Sequence, residues 1–388
     1  MKKVMRVFFL TGARSEYDLL KPVIRAVSAT PGLCAELIVG AAHLSPFHGM
    51  GIEHIRRDGF AIAGTVESLL ASESWSGRGL SFCNLVEGVT RLIAGNRPDL
   101  MFVAGDREEA LAGALAAVFQ KIPVAHMFGG DRMITSELDE LLRPAISKLA
   151  HLHFAAMESH RQRLIRMGED AKRVWVTGGT GLDRLREEPD LSDDDLSREF
   201  MIDVRQPFFF LIHHPSPLIN PEESGREMAQ ILEGILSLGR PVLCSYPNFD
   251  PGNIAIRQSI DEAKAKHNCL KVFHSLPSAQ FAALYRRCSA IVGNSSSIVI
   301  ESGFLKVAGV LVGPRQEGRE VGSNVICAES SAGEVRSACL RCLEDEAFKE
   351  QVCQSPSIYG DGFASQRIAK ILAEIELGPE LFLKAMTY

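Results

Sequence analysis

The sequence predicts an α/β protein in which helices cover both faces of parallel sheets. Short apolar runs alternate with helical runs along the 388 residues, and the first pair is Val4–Leu10 followed by Tyr17–Ala29. This alternation is typical of parallel sheets, because two parallel strands are usually joined by a helix. The strand runs are mostly apolar at successive positions, as expected for strands that are buried on both faces.

Two domains are predicted because the alternation is interrupted and then restarts. The chain length allows two domains or one large domain. An acidic, turn-rich stretch at residues 187–195 separates the halves, and the second half resumes with the apolar run Pro207–His213. We therefore expect domains over residues 1–185 and 186–363, with a C-terminal helix within 364–388 that packs back on the first domain.

The individual elements follow from apolar runs bounded by turn residues and from helical periodicity. The predicted strands are Val4–Leu10, Ala35–Val39, Leu100–Val103, Ile122–His126, Arg173–Val176, Pro207–His213, Pro241–Tyr246, Leu270–Phe273, Ala290–Val292, Val307–Val312 and Asn324–Cys327. The predicted helices are Tyr17–Ala29, Ser81–Ala94, Glu108–Gln120, Leu138–Leu149, Glu158–Met167, Glu222–Leu238, Ile254–Lys266, Ser278–Arg287, Gly333–Leu343, Asp345–Val352 and Ala364–Ile375.

The composition disfavours several classes of partner. A net charge of −6 gives no indication of nucleic-acid or anionic-membrane binding. The first apolar run ends at Thr11, so it is too short for a signal core or a membrane span. The 9 cysteines are scattered and odd in number, which is typical of a protein of the reducing cytoplasm.

Polar and charged residues gather in the loops that follow the predicted strands. Ligands bind beyond the carboxyl ends of the strands in sheets of this kind. The loops are Thr11–Glu16, His43–Ser45, Gly105–Glu108, Met127–Arg132, Thr177–Gly181, His213–Ser216, the loop at His274, and Gly313–Arg319. This pattern predicts two domains that face each other across a cleft, with reactive groups on both sides.

The stretch Ala290–Glu301 combines a short strand, a glycine turn, three serines and the start of a helix. Unpaired N–H groups and the positive end of the helix dipole favour an anion there, and Ser295, Ser296 and Ser297 add hydroxyl donors. Glu301 follows about one helical turn later and is placed to accept from a ribose hydroxyl. The stretch therefore suggests a seat for a diphosphate, with an ordinary serine cap as the commoner alternative.

Several cofactor chemistries are disfavoured by missing motifs. The dinucleotide fingerprint does not follow the first strand, and no Walker motif is present, so NAD, FAD and NTP hydrolysis are not expected. Cys339 and Cys342 have metal-ligand spacing, but no second ligand pair accompanies them, and helix packing is the favoured interpretation. His151 and His153 alternate as in a strand, with one of them expected to face the core. No metal site is predicted.

The remaining groups suit a nucleotide diphosphate leaving group. Arg14, Arg315 and Arg319 offer planar guanidinium donors for phosphates. His214 follows a strand of three phenylalanines and precedes a proline, a position where a histidine meets a ligand more often than the core.

Two aspartates are candidate acid–base groups, and each has an alternative interpretation. Asp106 is either such a group or the cap of the helix that begins near Glu108, and the two readings stand about evenly. Asp139 is either such a group or one half of an exposed ion pair with Arg143, worth only about 0.3 kcal/mol. The candidate binding set also includes Arg107, Arg143 and His274.

These residues occur in motifs that resemble those of one family. The motifs are Thr11–Leu20, Gly105–Ala110, the stretch from His126 through Gly130 to Lys148, Gly293–Glu301, and Arg315–Arg319. Their joint order over nearly the whole chain resembles the hydrolysing UDP-N-acetylglucosamine 2-epimerases of the sialic acid and legionaminic acid pathways. The resemblance implies two Rossmann-like domains in a glycosyltransferase-B arrangement with an inter-domain cleft. It also implies a homodimer, for which the helices around Leu85–Leu92 and Leu111–Val118 are candidate contacts, although burial in the monomer is the favoured reading.

The resemblance further implies a reaction and a set of site residues. UDP is eliminated to give a 2-acetamidoglucal, which is then hydrated to N-acetylmannosamine without NAD or metal. The matching acid–base positions are Asp106, Asp139 and His214. The positions on or near the UDP are Arg14, Ser295, Ser296, Glu301, Arg315 and Arg319, and His43 matches a histidine of the same cleft.

One motif departs from the family pattern. Phe128 stands where a carboxylate is expected to help with proton transfer at C2, and Pro144 replaces the usual histidine after Arg143. Asp131 matches a family glutamate and is a further candidate for proton transfer. Because phenylalanine moves no proton, three hypotheses remain: an epimerase acting on an altered, less polar UDP-sugar; a UDP-sugar hydrolase or glycosyltransferase; and a non-catalytic UDP-sugar-binding protein.

Overall fold

The computed structural model describes residues 4–72, 74–134, 138–216, 218–248, 250–274, 276–384 and 387. The chain divides into two compact units. The first unit comprises Met1–Asp131, Leu138–Arg184 and Gly360–Tyr388, and the second comprises Arg132–Glu137 and Leu185–Tyr359. Among the described residues, no helix combines the length and the hydropathy that crossing a membrane requires.

Strands and helices alternate along the described chain. The strands are β1 (Met5–Thr11), β2 (Leu33–Gly40), β3 (Ile62–Val66), β4 (Leu100–Ala104), β5 (Val124–Met127), β6 (Leu152–Ala155), β7 (Val174–Val176), β8 (Phe209–Ile212), β9 (Val242–Ser245), β10 (Leu270–Phe273), β11 (Ala290–Gly293), β12 (Ala308–Val312) and β13 (Val325–Ala328). The helices are α1 (Arg14–Ala29), α2 (Ile52–Arg57), α3 (Trp75–Gly95), α4 (Glu108–Phe119), α5 (Asp139–Leu149), α6 (Glu158–Arg166), α7 (Thr180–Glu187), α8 (Asp193–Phe200), α9 (Pro221–Leu236), α10 (Asn253–Lys266), α11 (Ser278–Arg287), α12 (Ser296–Ile300), α13 (Ser302–Leu305), α14 (Ala332–Glu344), α15 (Glu346–Gln354) and α16 (Ala364–Glu374).

The first unit contains a parallel sheet of seven strands in the order β3-β2-β1-β4-β5-β6-β7. The chain leaves β1 toward one edge and returns beside it as β4, so the strand order reverses between these two strands. Apolar residues of β1 and β4 are buried on both faces, with Phe8 on one side and Phe9 on the other. The carboxyl ends of β1 and β4 therefore lie at a topological switch point, where ligands bind in sheets of this type.

The second unit repeats this plan with six parallel strands in the order β10-β9-β8-β11-β12-β13. Here the reversal falls between β8 and β11, so His214 and Asn294 follow the two central strands. The core on one face of the sheet is formed by β8, β11 and β12 with the buried sides of α9, α10 and α14. The predicted fold class of parallel α/β domains is confirmed in both units.

The C-terminal segment of the chain belongs to the first unit. Ile368, Ala369 and Leu372 of α16 join the same buried cluster as Val23 of α1. A short 3-10 helix at Pro379–Phe382 follows, and Leu381 packs into that cluster as well.

Several local expectations are corrected by the structure. Strand β3 and the short helices α2, α7 and α13 were not predicted, because each is short and carries weak periodicity. His151 and His153 are both buried, rather than only one of them. Cys339 and Cys342 lie on α14 with buried side chains in the core, as the packing interpretation expects.

Gly130 is expected to be the least replaceable glycine of the first unit. Its φ is +80°, and a Cβ there would lie 2.2 Å from the carbonyl oxygen of His160. Gly130→Ala should therefore lower the free energy of unfolding by more than about 2 kcal/mol, since both backbone strain and a clash with backbone act against it. Urea unfolding measures the change. Gly32→Ala is the matched control, because Gly32 has a φ of +86° and no heavy atom within 4 Å of its Cβ position; equal losses in both variants would contradict the role of the contact.

Candidate active site

Arg143 joins three segments at the carboxyl edge of the first sheet. Its guanidinium, 3% exposed, forms an ion pair with Asp106 in the loop after β4. It also donates to Glu140 Oε1 at 2.5 Å and to the carbonyl oxygen of Asp131 at 2.8 Å. Asp106 is thus a partner of Arg143. The N-cap residue of α4 is Arg107, and no side chain makes a capping bond there. A buried guanidinium that is held by two carboxylates is costly to disturb, because removing one partner leaves an uncompensated charge.

Asp139 is the first residue of α5 and lies close to Asp106. Burial raises the pKa of Asp139 to about 6, and the charge of Asp106 adds to this effect. The Asp139–Arg143 ion pair considered from the sequence is replaced by the bonds of Arg143 to Asp106 and Glu140. Asp139 therefore has the property required of a general acid or base, a carboxyl group that exchanges its proton near neutral pH.

His126 connects this edge of the sheet to the inner face of α5. Its Nε2 lies 2.7 Å from the carbonyl oxygen of Gly105, and its Nδ1 lies 3.0 Å from Ser147 Oγ. Burial lowers the pKa of His126 to about 3, so the ring is neutral. Since a carbonyl only accepts, Nε2–H donates to Gly105 and Nδ1 accepts from the Ser147 hydroxyl. The ring thereby fixes α5 against the turn that carries Asp106, a role not identified from the sequence although His126 opens a motif there.

Phe128 occupies a left-handed backbone conformation in the loop after β5. Its φ is +69°, and its N–H donates to the carbonyl oxygen of Phe154 at 3.1 Å. The half-buried ring packs against the core cluster of the first unit. Left-handed backbone in an aromatic residue costs about 1–2 kcal/mol and is retained where the surrounding fold enforces it. Asp131, three residues later, points its carboxylate toward α6, where Oδ1 lies 3.6 Å from Nε2 of the buried His160.

The loop after β1 is supported by two buried carboxyl groups. Glu16 accepts from the N–H of Gly12 at 2.8 Å, and Glu109 packs against the Cα of the same glycine. Burial raises the pKa of Glu16 to about 8, and the neighbouring Glu109 adds to the effect. Glu109 in turn accepts from Arg107 Nε at 3.2 Å. Both acids lie within the sequence motifs, but no role is predicted for them from the sequence.

His43, which follows β2, and Arg14, which follows β1, occupy different environments. His43 is buried, and its Nε2 lies 3.1 Å from Thr11 Oγ1. Burial lowers the pKa of His43 to about 4, so the neutral ring serves as a support beneath the loop. Arg14 is the first residue of α1 with a side chain that is 75% exposed, and its Nε lies 4.0 Å from Asp18. Its charge remains available to an anion at this edge.

Asn294 holds the two central strand ends of the second sheet together. Its side chain accepts from the N–H of His214 at 2.8 Å and donates to the carbonyl oxygen of the same residue at 2.8 Å. His214 Nδ1 accepts from the N–H of Asn248 at 3.2 Å. Burial lowers the pKa of His214 to about 3, and the charge of Arg315 adds to this. A buried amide between a strand-ending glycine and a serine cap is the signal from which this residue could have been found.

The serine cluster forms a cap as well as a row of donors. Ser295 is the N-cap of α12, with its Oγ accepting from the N–H of Ser297 at 3.3 Å and from the Ser297 hydroxyl at 3.0 Å. The capping alternative is therefore observed. Helix α12 ends at Ile300, so its dipole is small, and Glu301 stands at its C-terminal end next to the buried Tyr285. An anion here would depend mainly on side-chain charge.

That charge is supplied by the loop after β12. Arg315 donates to the carbonyl oxygen of Asn294 at 3.3 Å, and Gln316 donates to the same oxygen at 3.0 Å. Arg319 donates to the Gln316 side chain at 2.9 Å. Arg315 and Arg319 are thus joined to the serine cluster through Gln316 and Asn294, neither of which was predicted.

His274 lies apart from this group. It follows β10, the edge strand of the second sheet, and its exposed ring contacts Tyr246 with centroids 4.6 Å apart. The strands β10 and β8 are separated by β9, so His274 is displaced sideways by about 10 Å from the end of β8. Its place among the binding residues remains a prediction.

Comparison with known proteins places this arrangement in a family. Residues 25–373 match the family model described as UDP-N-acetylglucosamine 2-epimerase. The chain belongs to the UDP-N-acetylglucosamine 2-epimerase family. It is 30% identical over 386 residues to the UDP-N,N'-diacetylbacillosamine 2-epimerase (hydrolyzing) of Legionella pneumophila, covering 99% of this chain and 100% of the relative. It is 27% identical over 348 residues to the GDP/UDP-N,N'-diacetylbacillosamine 2-epimerase (hydrolyzing) of Campylobacter jejuni, covering 89% of each.

Solved structures support the fold of this epimerase-family chain. The UDP-GlcNAc 2-epimerase of Neisseria meningitidis, bound to UDP-GlcNAc, superposes with a TM-score of 0.82 at 20% identity, covering 96% of this chain and 100% of that one. The family predicted from the motifs is thereby confirmed, as is the prediction of an enzyme of this type. The roles of the individual site residues stay predictions.

Acidic pH is expected to destabilise the protein through its buried histidines. Burial lowers the pKa of His43, His126, His151, His153 and His214 below the ordinary value of 6.5. The unfolded chain therefore binds protons near pH 6 that the folded chain does not, and stability falls as the pH decreases. Glu16 and Asp139, whose pKa values are raised, act in the opposite direction, but they are fewer.

The melting temperature should accordingly be lower at about pH 5.5 than at about pH 7. His151→Gln should reduce this difference, whereas the exposed His267 serves as the control through His267→Gln. A melting temperature that rises toward acid would show that these rings accept protons in the folded state.

Proposed function

We propose that the protein is a hydrolysing 2-epimerase of a UDP-linked 2-acetamido sugar, releasing UDP and a free manno-configured sugar. The observation that carries the proposal is the pairing of Asp139, with a pKa of about 6, with Asp106 and the buried Arg143 at the switch point of the first sheet. The His214–Asn294–Arg315 group occupies the corresponding point of the second sheet. Family membership supports the same assignment.

The proposed mechanism has two stages. A carboxylate, for which Asp139 is the first candidate, removes the proton from C2 while the C1–O bond to UDP breaks, so that a 2-acetamidoglucal forms. Water then adds at C1 and a proton is returned to C2 from the opposite face, which gives the manno configuration. Asp106 and Asp131 are the remaining acid–base candidates of the first unit. Arg143 forms an ion pair with Asp106 and fixes the direction of its carboxylate.

The second unit is proposed to bind and activate the leaving group. Arg315 and Arg319 would offset the charge that develops on the diphosphate, and Ser296 would donate to its oxygens, because both donors of Ser297 bond to Ser295. Glu301 would accept from the ribose. His214, neutral because its pKa is lowered to about 3, would act as a hydrogen-bonding group toward the phosphate or the leaving oxygen.

The sugar is proposed to be a diacetamido-trideoxyhexose in preference to N-acetylglucosamine. The Legionella pneumophila and Campylobacter jejuni relatives carry the name of N,N'-diacetylbacillosamine. Phe128 supplies an apolar ring surface in the loop after β5, which suits a sugar that lacks a hydroxyl on the face it contacts. The same residue favours the second candidate function, a UDP-sugar hydrolase or glycosyltransferase without C2 chemistry, because it provides no proton.

Turnover in D2O distinguishes these functions. Purified protein is incubated with UDP-N,N'-diacetylbacillosamine or with UDP-N-acetylglucosamine, and the products are followed by NMR. We expect UDP and a free manno-configured sugar with deuterium at C2, formed faster from the diacetamido substrate. Asp139→Asn should reduce the rate about 10²–10⁴-fold, the range typical for loss of an acid–base group, while Asp345→Asn, at the N-cap of α15 in the second unit, should leave it unchanged. UDP release without deuterium at C2 would reject epimerisation, and an acceptor-dependent product would indicate a glycosyltransferase.

Binding of UDP alone tests the nucleotide side separately. UDP should raise the melting temperature, because a ligand that binds only the folded state stabilises it. Arg315→Ala and Ser296→Ala should abolish most of this shift, whereas Arg336→Ala, at an exposed position on α14, should retain it. An unchanged shift in Arg315→Ala would place the nucleotide elsewhere. Tight UDP binding without turnover of any sugar would support the non-catalytic alternative.

A further inference from the structure

The ammonium group of Lys384 closes the C-terminal end of α5. Its Nζ donates to the carbonyl oxygens of Ser147 at 3.0 Å, Lys148 at 2.7 Å and Ala150 at 2.5 Å. The last carbonyls of a helix have no intrahelical partner and carry the negative end of the dipole. Lys384 is distant in sequence from α5, and its ammonium group binds three of these carbonyl oxygens. It therefore caps the C-terminal end of the helix through a tertiary contact.

The segment that carries Lys384 is anchored independently of this lysine. Arg173 donates to the carbonyl oxygens of Leu381 at 2.7 Å and Glu380 at 2.9 Å. The side chain of Leu381 is buried in the core cluster, and the ring of Phe382 contacts His151 with centroids 5.3 Å apart. Loss of the Lys384 ammonium should therefore remove the cap and leave the segment docked.

A buried carboxylate fixes the position of the ammonium. Glu169, 2% exposed, lies 2.7 Å from Lys384 Nζ, 2.8 Å from Lys148 Nζ and 3.0 Å from His153 Nε2. Burial acts to raise the pKa of Glu169, but the bonds from His153, Lys148 and Lys384 outweigh it and lower the pKa to about 2. The carboxylate is ionised at every physiological pH and holds the cation against the helix end.

Helix α5 has a particular need for support at this end. Pro144 lies inside the helix and has no N–H, so the bond to the carbonyl of Glu140 is missing. An interior proline weakens a helix by about 3 kcal/mol. The helix must therefore be held by its ends and by side-chain contacts such as Ser147 to His126.

Helix α5 also carries the acid–base candidate Asp139 and the ion-pair partner of Asp106, Arg143. Asp139 is its first residue and Arg143 lies one turn later, whereas the Lys384 cap lies about 16 Å away at the other end. A shift or rotation of the helix would change the separation of Asp139 and Arg143 from Asp106, which is fixed on the loop after β4. Small displacements of this kind are costly in rate, because catalysis depends on orientation.

We propose that Lys384 is a positioning residue, which holds α5 from its far end and thereby places Asp139 and Arg143 for the reaction. The kinetic part of this proposal rests on the proposed function. The structural part, the placement of α5, is measurable without any substrate.

The test compares Lys384→Met with the conservative Lys384→Arg and with Lys370→Met, an exposed lysine on α16. Hydrogen exchange is followed for peptides that cover 139–150. In Lys384→Met, exchange should accelerate at least tenfold over the whole of α5, while peptides of α6 and of the second unit stay unchanged. Lys384→Arg should restore most of the protection, and Lys370→Met should resemble the unmodified protein. Acceleration that is confined to the final turn, or absent, would overturn the proposal.

Kinetics supply the second readout. In Lys384→Met, kcat should fall about tenfold or more, and the acid limb of its pH profile should move, while KM changes little because the proposed nucleotide contacts lie in the second unit. An unchanged kcat and pH profile with accelerated exchange would overturn the catalytic role. If Lys384→Met fails to fold, Arg173→Lys, which weakens the docking of the same segment, should give the same pattern. Absence of turnover in the unmodified protein would reject the proposed function, and exchange alone would then decide the placement of α5.

Discussion

The first unit depends on the burial of one guanidinium, that of Arg143. A buried cation is tolerated only with its charge balanced and its donors occupied. Asp106, Glu140 and the carbonyl of Asp131 meet this need from two loops and one helix. These contacts force the loops after β4 and β5 to converge on α5. The proximity of Asp139 to Asp106 follows from the same convergence, and the charge of Asp106 adds to burial in raising the pKa of Asp139.

The two sheets reach a similar result by different chemistry. In each, the strand order reverses between two central parallel strands, and most of the candidate residues follow those strands. The first sheet uses an ion pair to join its loops. The second uses Asn294, whose neutral side-chain amide bonds to the backbone N–H and carbonyl oxygen of His214. The backbone carbonyl oxygen of Asn294 accepts hydrogen bonds from Arg315 and Gln316. Arg315 thus bonds to a neutral carbonyl at this point, whereas Arg143 bonds to the charged Asp106 and Glu140.

Sequence alone predicted the alternation of strands and helices well, because apolar runs that are buried on both faces stand out clearly. It missed β3, a half-buried edge strand that contains Gly64, since such a strand has little apolar pattern. It named Asp106, Asp139 and His214 as candidates from motifs, and their roles stay predictions. It could not find their partners, because Arg143 lies 37 residues from Asp106 and Asn294 lies 80 residues from His214. Pairings over such distances are set by strand order, which is a property of the whole sheet.

At Phe128 the backbone conformation is set largely independently of the side chain, which determines the substitutions that this loop can accept. Its left-handed conformation is fixed by the bond to Phe154 and by the two glycines that follow. The energetic cost of that conformation is the same for most unbranched side chains, so exchanging one for another adds no new backbone strain. The backbone at this position thus keeps its conformation when one unbranched side chain replaces another. Single substitutions there change the side-chain surface of this loop without new backbone strain, which makes residue 128 a natural starting point for directed evolution under the proposed function.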